Sequence, residues 1–230
     1  MQVEVNGQIY HVPSDIGQIK LGQFIEWYNE YGRKLDEQMT AIASTHYDDE
    51  FLREDAIDQQ LDKEALAWYS FFTGCDFEAI ADTYLGAQVC DQYRVIRYLI
   101  HNSENDSREL TGPVDWNGEQ WEIQNYKVDP ASEMTFNEII TSKEVIRQLH
   151  KIGKGKWEPL LYLCAIFFRK VGEPFDKKFM FPGSERVKLM NDLPLSYAMA
   201  VSFFLTDCVG IWKSTLASSN QVQEATQNPS

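Results

Sequence analysis

Two stretches of the chain alternate hydrophobic and polar positions around an Asn-Gly dipeptide. The first, VEVNGQIYHV at residues 3–12, centres on Asn6-Gly7, and the second, VDWNGEQWEI at residues 114–123, centres on Asn117-Gly118. Asn-Gly is typical of a two-residue type I′ turn, because both central residues of that turn need a positive φ. The pattern therefore predicts two β-hairpins, one in each half of the chain.

Apolar residues elsewhere recur at the three- and four-residue spacing of a single helix face. This spacing covers LGQFIEWYNEYGRKL, KEALAWYSFFTG and GAQVCDQYRVIRYLI in the first half, and EMTFNEIIT, KWEPLLYLCAIFFRKVGEPFD and LPLSYAMAVSFFL in the second. Gly74 follows the second of these segments, in the position of a helix-ending glycine. Together with the hairpins, the helical segments predict an α+β fold that is predominantly α-helical.

The order of these elements is similar in the two halves, which predicts two similar units, each a small β-hairpin packed on several helices. Residues 1–100 form the first unit, residues 101–113 a polar linker, and residues 114–213 the second unit. Residues 214–230 contain few bulky apolar side chains, and we expect this tail to be disordered.

The correspondence between the units also rests on two Phe-Phe pairs, at residues 71–72 and 167–168. In this scheme each pair belongs to a helix that runs into a glycine, Gly74 in the first unit and Gly172 in the second. The first unit is longer, and the excess matches the length of the acidic segment at residues 48–62. We therefore expect that segment to be an insertion.

Composition and charge narrow the function classes. Hydrophobic residues make up 43% of the chain, and Asp and Glu outnumber Lys and Arg 35 to 21, for a net charge of −14. Such a chain is globular and acidic, and its charge disfavours nucleic acid and anionic membrane surfaces. Residues 193–212 approach the length of a membrane span, but Asp207 interrupts them, and we predict a buried helix.

The cysteines and the N-terminal sequence indicate a compartment. Cys75, Cys90, Cys164 and Cys208 are widely spaced without a CxxC pair, which favours a reducing cytosol. The start of the sequence, MQVEVNGQ, lacks the basic and apolar regions of a signal peptide. We therefore expect the protein in the cytoplasm.

Catalytic motifs are missing from the sequence. It contains no GxSxG, GxxxxGK[ST], GxGxxG or HExxH pattern. His46 stands beside three carboxylates and could help to hold a divalent cation, although a solvated acidic turn explains the same residues. GKGKW at residues 153–157 lacks the strand and the Ser or Thr of a phosphate-binding loop. We predict a protein that is not an enzyme and uses no cofactor or metal.

Two kinds of feature instead favour protein binding. Residues 48–62, DDEFLREDAIDQQLD, hold seven Asp or Glu against one Arg with a thin apolar stripe, and form either a solvated helix or loop or an acidic docking surface for a basic partner. The aromatic residues either pack between sheets and helices or anchor an interface. We predict partner contacts at Trp27, Tyr28, Tyr31, Asp48, Asp49, Glu50, Trp116 and Trp121.

Three blocks of the sequence resemble small proteins from the structural gene clusters of tailed bacteriophages, notably crAss-like and other phages of Bacteroidetes. The first block is NGQIYHVPSDIGQIKLGQFIEWY, and the second is ALAWYSFFTGCDFEAI. The third combines LLYLCAIFFRKVGEPFDKKF, Arg186 and LPLSYAMAVSFFL. Lys20 and Phe175 depart from that pattern, which prefers Thr and Tyr at these positions.

The resemblance implies a tail assembly chaperone, or a related protein of virion assembly. Such a protein would shield the apolar helices of a tape-measure-type partner and recruit tail-tube proteins in the host cytoplasm. A permanent virion component, such as a baseplate, connector or tail protein, is one alternative. A small hydrolase without a recognisable motif is another.

Overall fold

The computed structural model of the protein describes residues 2–76, 86–101, 110, 112–123, 136–153 and 155–202. These residues form an α+β fold that is mostly helical, with two small antiparallel sheets packed on helices. The predicted fold class is confirmed. The linker residues 102–109 and 111 and the tail at residues 214–230 lie outside this part of the chain, so the predicted division into two units stays a prediction.

Both predicted hairpins are present, and both turn at Asn-Gly. Strand β1 (Gln2–Val5) pairs with β2 (Gln8–His11), and β3 (Val114–Trp116) pairs with β4 (Glu119–Ile123). The φ angles are 53° and 78° at the first Asn-Gly and 53° and 76° at the second. A positive φ at both central residues is the requirement of a type I′ turn, which Asn and Gly tolerate best.

The first half continues as a series of helices, in which an α-helix, a π-helix and a second α-helix follow one another without a break. After a short 3₁₀ turn (Ile16–Gln18), the helices are α1 (Leu21–Trp27), a π-helix (Tyr28–Gly32), α2 (Arg33–Ser44), α3 (Glu50–Thr73) and α4 (Gly86–His101). The Asp49 side chain accepts a hydrogen bond from the Phe51 backbone N–H and so caps α3. Gly74 ends this helix with a φ of 68°, as predicted.

The second half contains a strand where the sequence predicted helix. After α5 (Phe136–Lys151), helix α6 (Glu158–Phe167) ends one residue before β5 (Phe168–Lys170), which pairs antiparallel with β4. The prediction that this helix includes Phe168 and runs into Gly172 is wrong. Residues 168–170 instead form hydrogen bonds with the edge of β4 that β3 leaves free. The chain then forms a 3₁₀ turn (Lys177–Met180), α7 (Glu185–Met190) and the helical residues 195–202, called α8 here.

The starts of α1 and α8 lie side by side. Lys20 and Pro194, the residues just before the two helices, form an antiparallel bridge. The Leu21 N–H donates to the Leu193 carbonyl at 2.8 Å, and the Leu195 N–H donates to the Ile19 carbonyl at 2.8 Å. We call this contact between residues 19–21 and 193–195 the crossing. It joins residues far apart in the sequence and places both helices in one core.

The hydrophobic core is shared by the two halves of the chain. One cluster of buried side chains contains Phe24 and Trp68 from the first half together with Trp121, Phe167 and Phe168 from the second. Cys75, Cys90 and Cys164 are buried free thiols within the described residues. The predicted buried helix is seen for residues 195–202, while residues 203–212 lie outside the described chain. None of the helices that the structure describes is long and apolar enough to span a membrane.

Replacing Gly22 with Ala should destabilise the protein, because Asn191 lies against Gly22 beside the crossing. A Cβ atom at Gly22 would lie 2.9 Å from Asn191 Oδ1 and 3.1 Å from the Asn191 carbonyl oxygen, which accepts a 3.0 Å hydrogen bond from the Gly22 N–H. Overpacking of this kind costs about 1–3 kcal/mol, more than the up to about 1 kcal/mol that Ala gains over Gly in a helix. Urea unfolding should show a net loss of stability.

The control is Gly112→Ala, because a Cβ atom there meets no heavy atom of the described residues within 4 Å. If Gly22→Ala unfolds at the same urea concentration as Gly112→Ala, the close approach at the crossing is not needed for stability.

Candidate functional site

Four of the predicted contact residues are part of the core. Trp27, Tyr28, Trp116 and Trp121 are all buried, and Trp121 is only 1% exposed. The Trp27 ring lies 4.7 Å from the Trp68 ring, and the Trp121 ring stacks on Phe168 at 5.4 Å. These rings pack the interior, which was the alternative interpretation, and we correct their assignment from partner contacts to core.

The other four predicted contact residues lie at the surface. Tyr31 is 37% exposed, with its ring against Phe71 at 6.2 Å, and Asp48, Asp49 and Glu50 are exposed at the start of α3. His46 Nε2 lies 4.0 Å from Asp48 Oδ1. Within the described residues, no group of three His, Cys, Asp or Glu side chains is placed to hold a metal ion.

Helix α2 and the first part of α3 form an arm, defined here as residues 33–59. No residue of α2 is buried, and the first buried residue of α3 is Gln60. At 1.5 Å per residue, about 15 Å of α3 therefore extends past the core. The two helices of the arm pack on each other, and Gln60 Nε2 donates to Gln38 Oε1 at 3.2 Å near its base.

The tip of the arm combines exposed apolar side chains with negative charge. Phe51 is 69% exposed and Leu52 is 53% exposed, although they are consecutive residues of a well-formed helix. Acidic residues stand on both sides of Phe51 and Leu52 in the sequence: Asp48, Asp49, Glu50, Glu54 and Asp55. Residues 50–62 of the acidic segment form the first half of α3, which continues without a break to Thr73, and the segment's assignment as an insertion stays a prediction. Of its acidic residues, Asp49 also has a structural role as the cap.

A buried ionic group lies where the arm joins the core. The Glu64 carboxylate on α3 is 3% exposed, and its Oε2 atom accepts hydrogen bonds from Arg97 Nε at 2.8 Å and the Tyr93 hydroxyl at 3.1 Å, both on α4. Burial raises the pKa of Glu64, while the Arg97 charge and these hydrogen bonds oppose the change. Burial and the nearby Glu64 charge raise the pKa of Tyr93 well above its usual value. Tyr93 is therefore a neutral donor.

A second polar contact at the base of the arm ties α2 to the π-helix. The Tyr28 hydroxyl donates to Asp36 Oδ2 at 2.8 Å. Burial, followed by the neighbouring Asp36 carboxylate, raises the pKa of Tyr28. The sequence analysis missed the polar roles of Tyr28 and Glu64. For Glu64 a signal was present, because it stands one helical turn before Trp68 on the buried face of α3.

A surface depression lies beside α3 and α4, and its lining residues do not form a catalytic arrangement. It has a volume of about 400 Å³, and its lining includes Asp62, Cys90, Asp91 and Arg94. Burial, followed by the charge of Asp62, raises the pKa of Cys90 to about 11, so its thiol is protonated at neutral pH. The Arg94 guanidinium pairs with Asp62 at 3.0 Å and with Asp91 at 3.1 Å. This arrangement offers no activated nucleophile and gives no support to the hydrolase alternative.

Another buried ionic group supports the three-stranded sheet. The Arg186 guanidinium lies 4.5 Å from the Trp121 ring centre and donates to Glu173 Oε2 at 2.9 Å and to the Phe168 carbonyl at 2.9 Å. Arg169 Nη1 lies 2.7 Å from Glu138 Oε1, with both side chains buried. Each of these cations thus faces a carboxylate; Arg186 joins α7 to β5, and the Arg169–Glu138 pair joins β5 to α5.

Comparisons with known proteins found no matching family model, no matching curated protein and no matching solved structure. The geometry of the arm and of its base therefore carries the functional argument.

Replacing Glu64 with Gln should change how stability depends on pH. Because burial raises the pKa of Glu64, the folded protein binds this proton more tightly than the unfolded chain, and protonation stabilises the fold. The stability of the native protein minus that of Glu64→Gln should therefore rise as the pH falls from 7 towards 4.5, the ordinary pKa, and level off below it. Urea unfolding across this pH range measures the difference.

Glu54→Gln, on the exposed part of the same helix, is the control variant. A difference that falls instead of rising on acidification would show that the Arg97 and Tyr93 contacts outweigh burial at Glu64.

Proposed function

We propose that this protein acts without catalysis, by binding another protein through the tip of the arm during assembly of a tailed-phage virion. The observation that carries the binding role is the exposure of Phe51 and Leu52 inside an acidic surface, on helices that extend past the core. The assignment to phage assembly rests on the resemblance of the three sequence blocks to proteins of phage structural gene clusters. A tape-measure-type or tail-tube protein is the partner that this resemblance implies.

The tip can supply both affinity and selectivity. Burying a large apolar side chain stabilises a complex by roughly 1.5–3 kcal/mol, so Phe51 and Leu52 together offer about 3–6 kcal/mol before the costs of association. The carboxylates around them attract a positively charged segment and speed its encounter with the arm. The matching partner surface is a helix or loop that carries apolar residues flanked by Lys or Arg.

The acidic surface also explains how exposed apolar residues are compatible with a dispersed protein. A net charge of −14 makes copies of the chain repel one another, so the tips do not associate readily with each other. A partner of opposite charge escapes this repulsion. Selection by charge suits a protein that must hold an aggregation-prone partner.

The double variant Phe51→Ser/Leu52→Ser should lose partner binding while keeping its fold. Both side chains are exposed, so their removal deletes contact area without opening a cavity in the core. Titration calorimetry against the tape-measure-type and tail-tube proteins of the same gene cluster should show at least a tenfold loss of affinity. Binding of the native protein should also weaken as the salt concentration rises, because exposed charges are screened.

The matched control is Val95→Ser/Tyr98→Ser on α4, since both of its side chains are 53% exposed. Equal losses of affinity in the two double variants, or unchanged affinity in both, would contradict the assignment of binding to the tip.

Mass spectrometry of purified virions separates the chaperone role from the alternative of a permanent virion component. A chaperone leaves the particle after assembly, so we expect it in infected-cell lysate in complex with its partner and not in purified particles. Its presence in virions at a fixed ratio to the tail proteins would replace the chaperone role with the structural one, and would leave the binding role of the tip unchanged.

A further inference from the structure

A small cavity lies under the base of the arm, between the π-helix, α3 and α4. Its volume, counted as the space open to the centre of a water molecule, is about 10 Å³. Its lining includes Trp27, Glu64, Trp68, Tyr93 and Trp157. Trp27 precedes the π-helix and Trp157 precedes α6, so both halves of the chain contribute to its wall. The cavity is thus part of the joint between the arm and the core.

Four polar atoms on the residues of this wall have no hydrogen-bond partner among the residues that the structure describes. They are Glu64 Oε1 and the indole Nε1 atoms of Trp27, Trp68 and Trp157. Each of the four atoms has less than 1 Å² of accessible surface, so bulk water does not satisfy them. The other carboxylate oxygen, Glu64 Oε2, already accepts from Arg97 and Tyr93. Buried polar groups in folded proteins are almost always paired.

The chemistry of these four atoms selects the ligand. Glu64 Oε1 needs a hydrogen-bond donor, whereas the indole N–H groups need an acceptor. A metal ion or an ammonium ion would bind the carboxylate but could accept nothing from an indole. A small anion would accept from the indoles but would face the negative charge of Glu64. Water donates twice and accepts twice, and the volume of the cavity suits one water molecule.

We propose that one buried water molecule is a built-in part of this joint, donating to Glu64 Oε1 and accepting from one or two of the indole N–H groups of Trp27, Trp68 and Trp157. The water links α3 to the residues that precede the π-helix and α6. It therefore completes, through one molecule, the polar contacts that Glu64 makes directly to α4.

Nuclear magnetic resonance of the full chain labelled with ¹⁵N-tryptophan tests this inference. The indole N–H signals are assigned with single Trp→Phe variants, and transfer from water is recorded in nuclear and rotating-frame Overhauser spectra. We expect a water cross-peak of dipolar sign at one or two of the Trp27, Trp68 and Trp157 indoles. Tyr93→Phe should keep this cross-peak, which excludes transfer relayed through the tyrosine hydroxyl.

Trp121 is the matched control, because its indole N–H is also buried and unpartnered within the described chain but does not line this cavity. No water cross-peak at any of the three indoles, or an equal one at Trp121, would overturn the proposal. A crystal structure gives a second measurement that needs no variant. It should show a density peak within about 2.6–3.2 Å of Glu64 Oε1, and a fully refined site without one would equally overturn the proposal.

Discussion

The rest of the structure depends on the crossing of residues 19–21 and 193–195. The first N–H groups of a helix have no partner within that helix. At the crossing, the start of α1 donates to the Leu193 carbonyl, and the start of α8 donates to the Ile19 carbonyl. The backbone carbonyl just before each helix thus accepts a hydrogen bond from the first N–H group of the other helix. Because Leu21, Leu193 and Leu195 are fully buried, the same residues also join the two halves of the hydrophobic core.

Two of the three sequence blocks singled out in the sequence analysis contain residues with clear packing roles. The first block contains Gly22, which must stay small because Asn191 lies against it. The third block contributes Arg186 and Glu173, which form a partly exposed ion pair beside the three-stranded sheet, and Arg169, which forms a buried ion pair with Glu138. Breaking a buried pair such as Arg169–Glu138 by removing one partner is costly, typically about 3–5 kcal/mol. In this chain these residues of the two blocks thus serve close packing and ion pairing.

The sequence predicts what local interactions decide. The two Asn-Gly turns, the cap at Gly74 and the helical segments follow from residues close together in the chain. Strand β5 was missed because its partner β4 lies about 50 residues away and only tertiary contact reveals the pairing. Trp27 and Tyr28 were expected at an interface because Trp and Tyr are favoured anchors there. Residue type alone does not reveal that these rings pack against Trp68 and Trp157. In the candidate site, charge was readable from the sequence, whereas exposure was not.

The arm is held in place from its base. Isolated helices shorter than about 12–15 residues are marginal in water, and α2 has 12 residues, none of them buried. Its order comes from continuity with the π-helix at one end and from α3, whose second half enters the core. The contacts that set its direction are therefore those of Glu64, Tyr28 and Gln60, all near the base. The buried ionic group around Glu64 therefore helps to set the direction in which the arm presents the exposed Phe51 and Leu52.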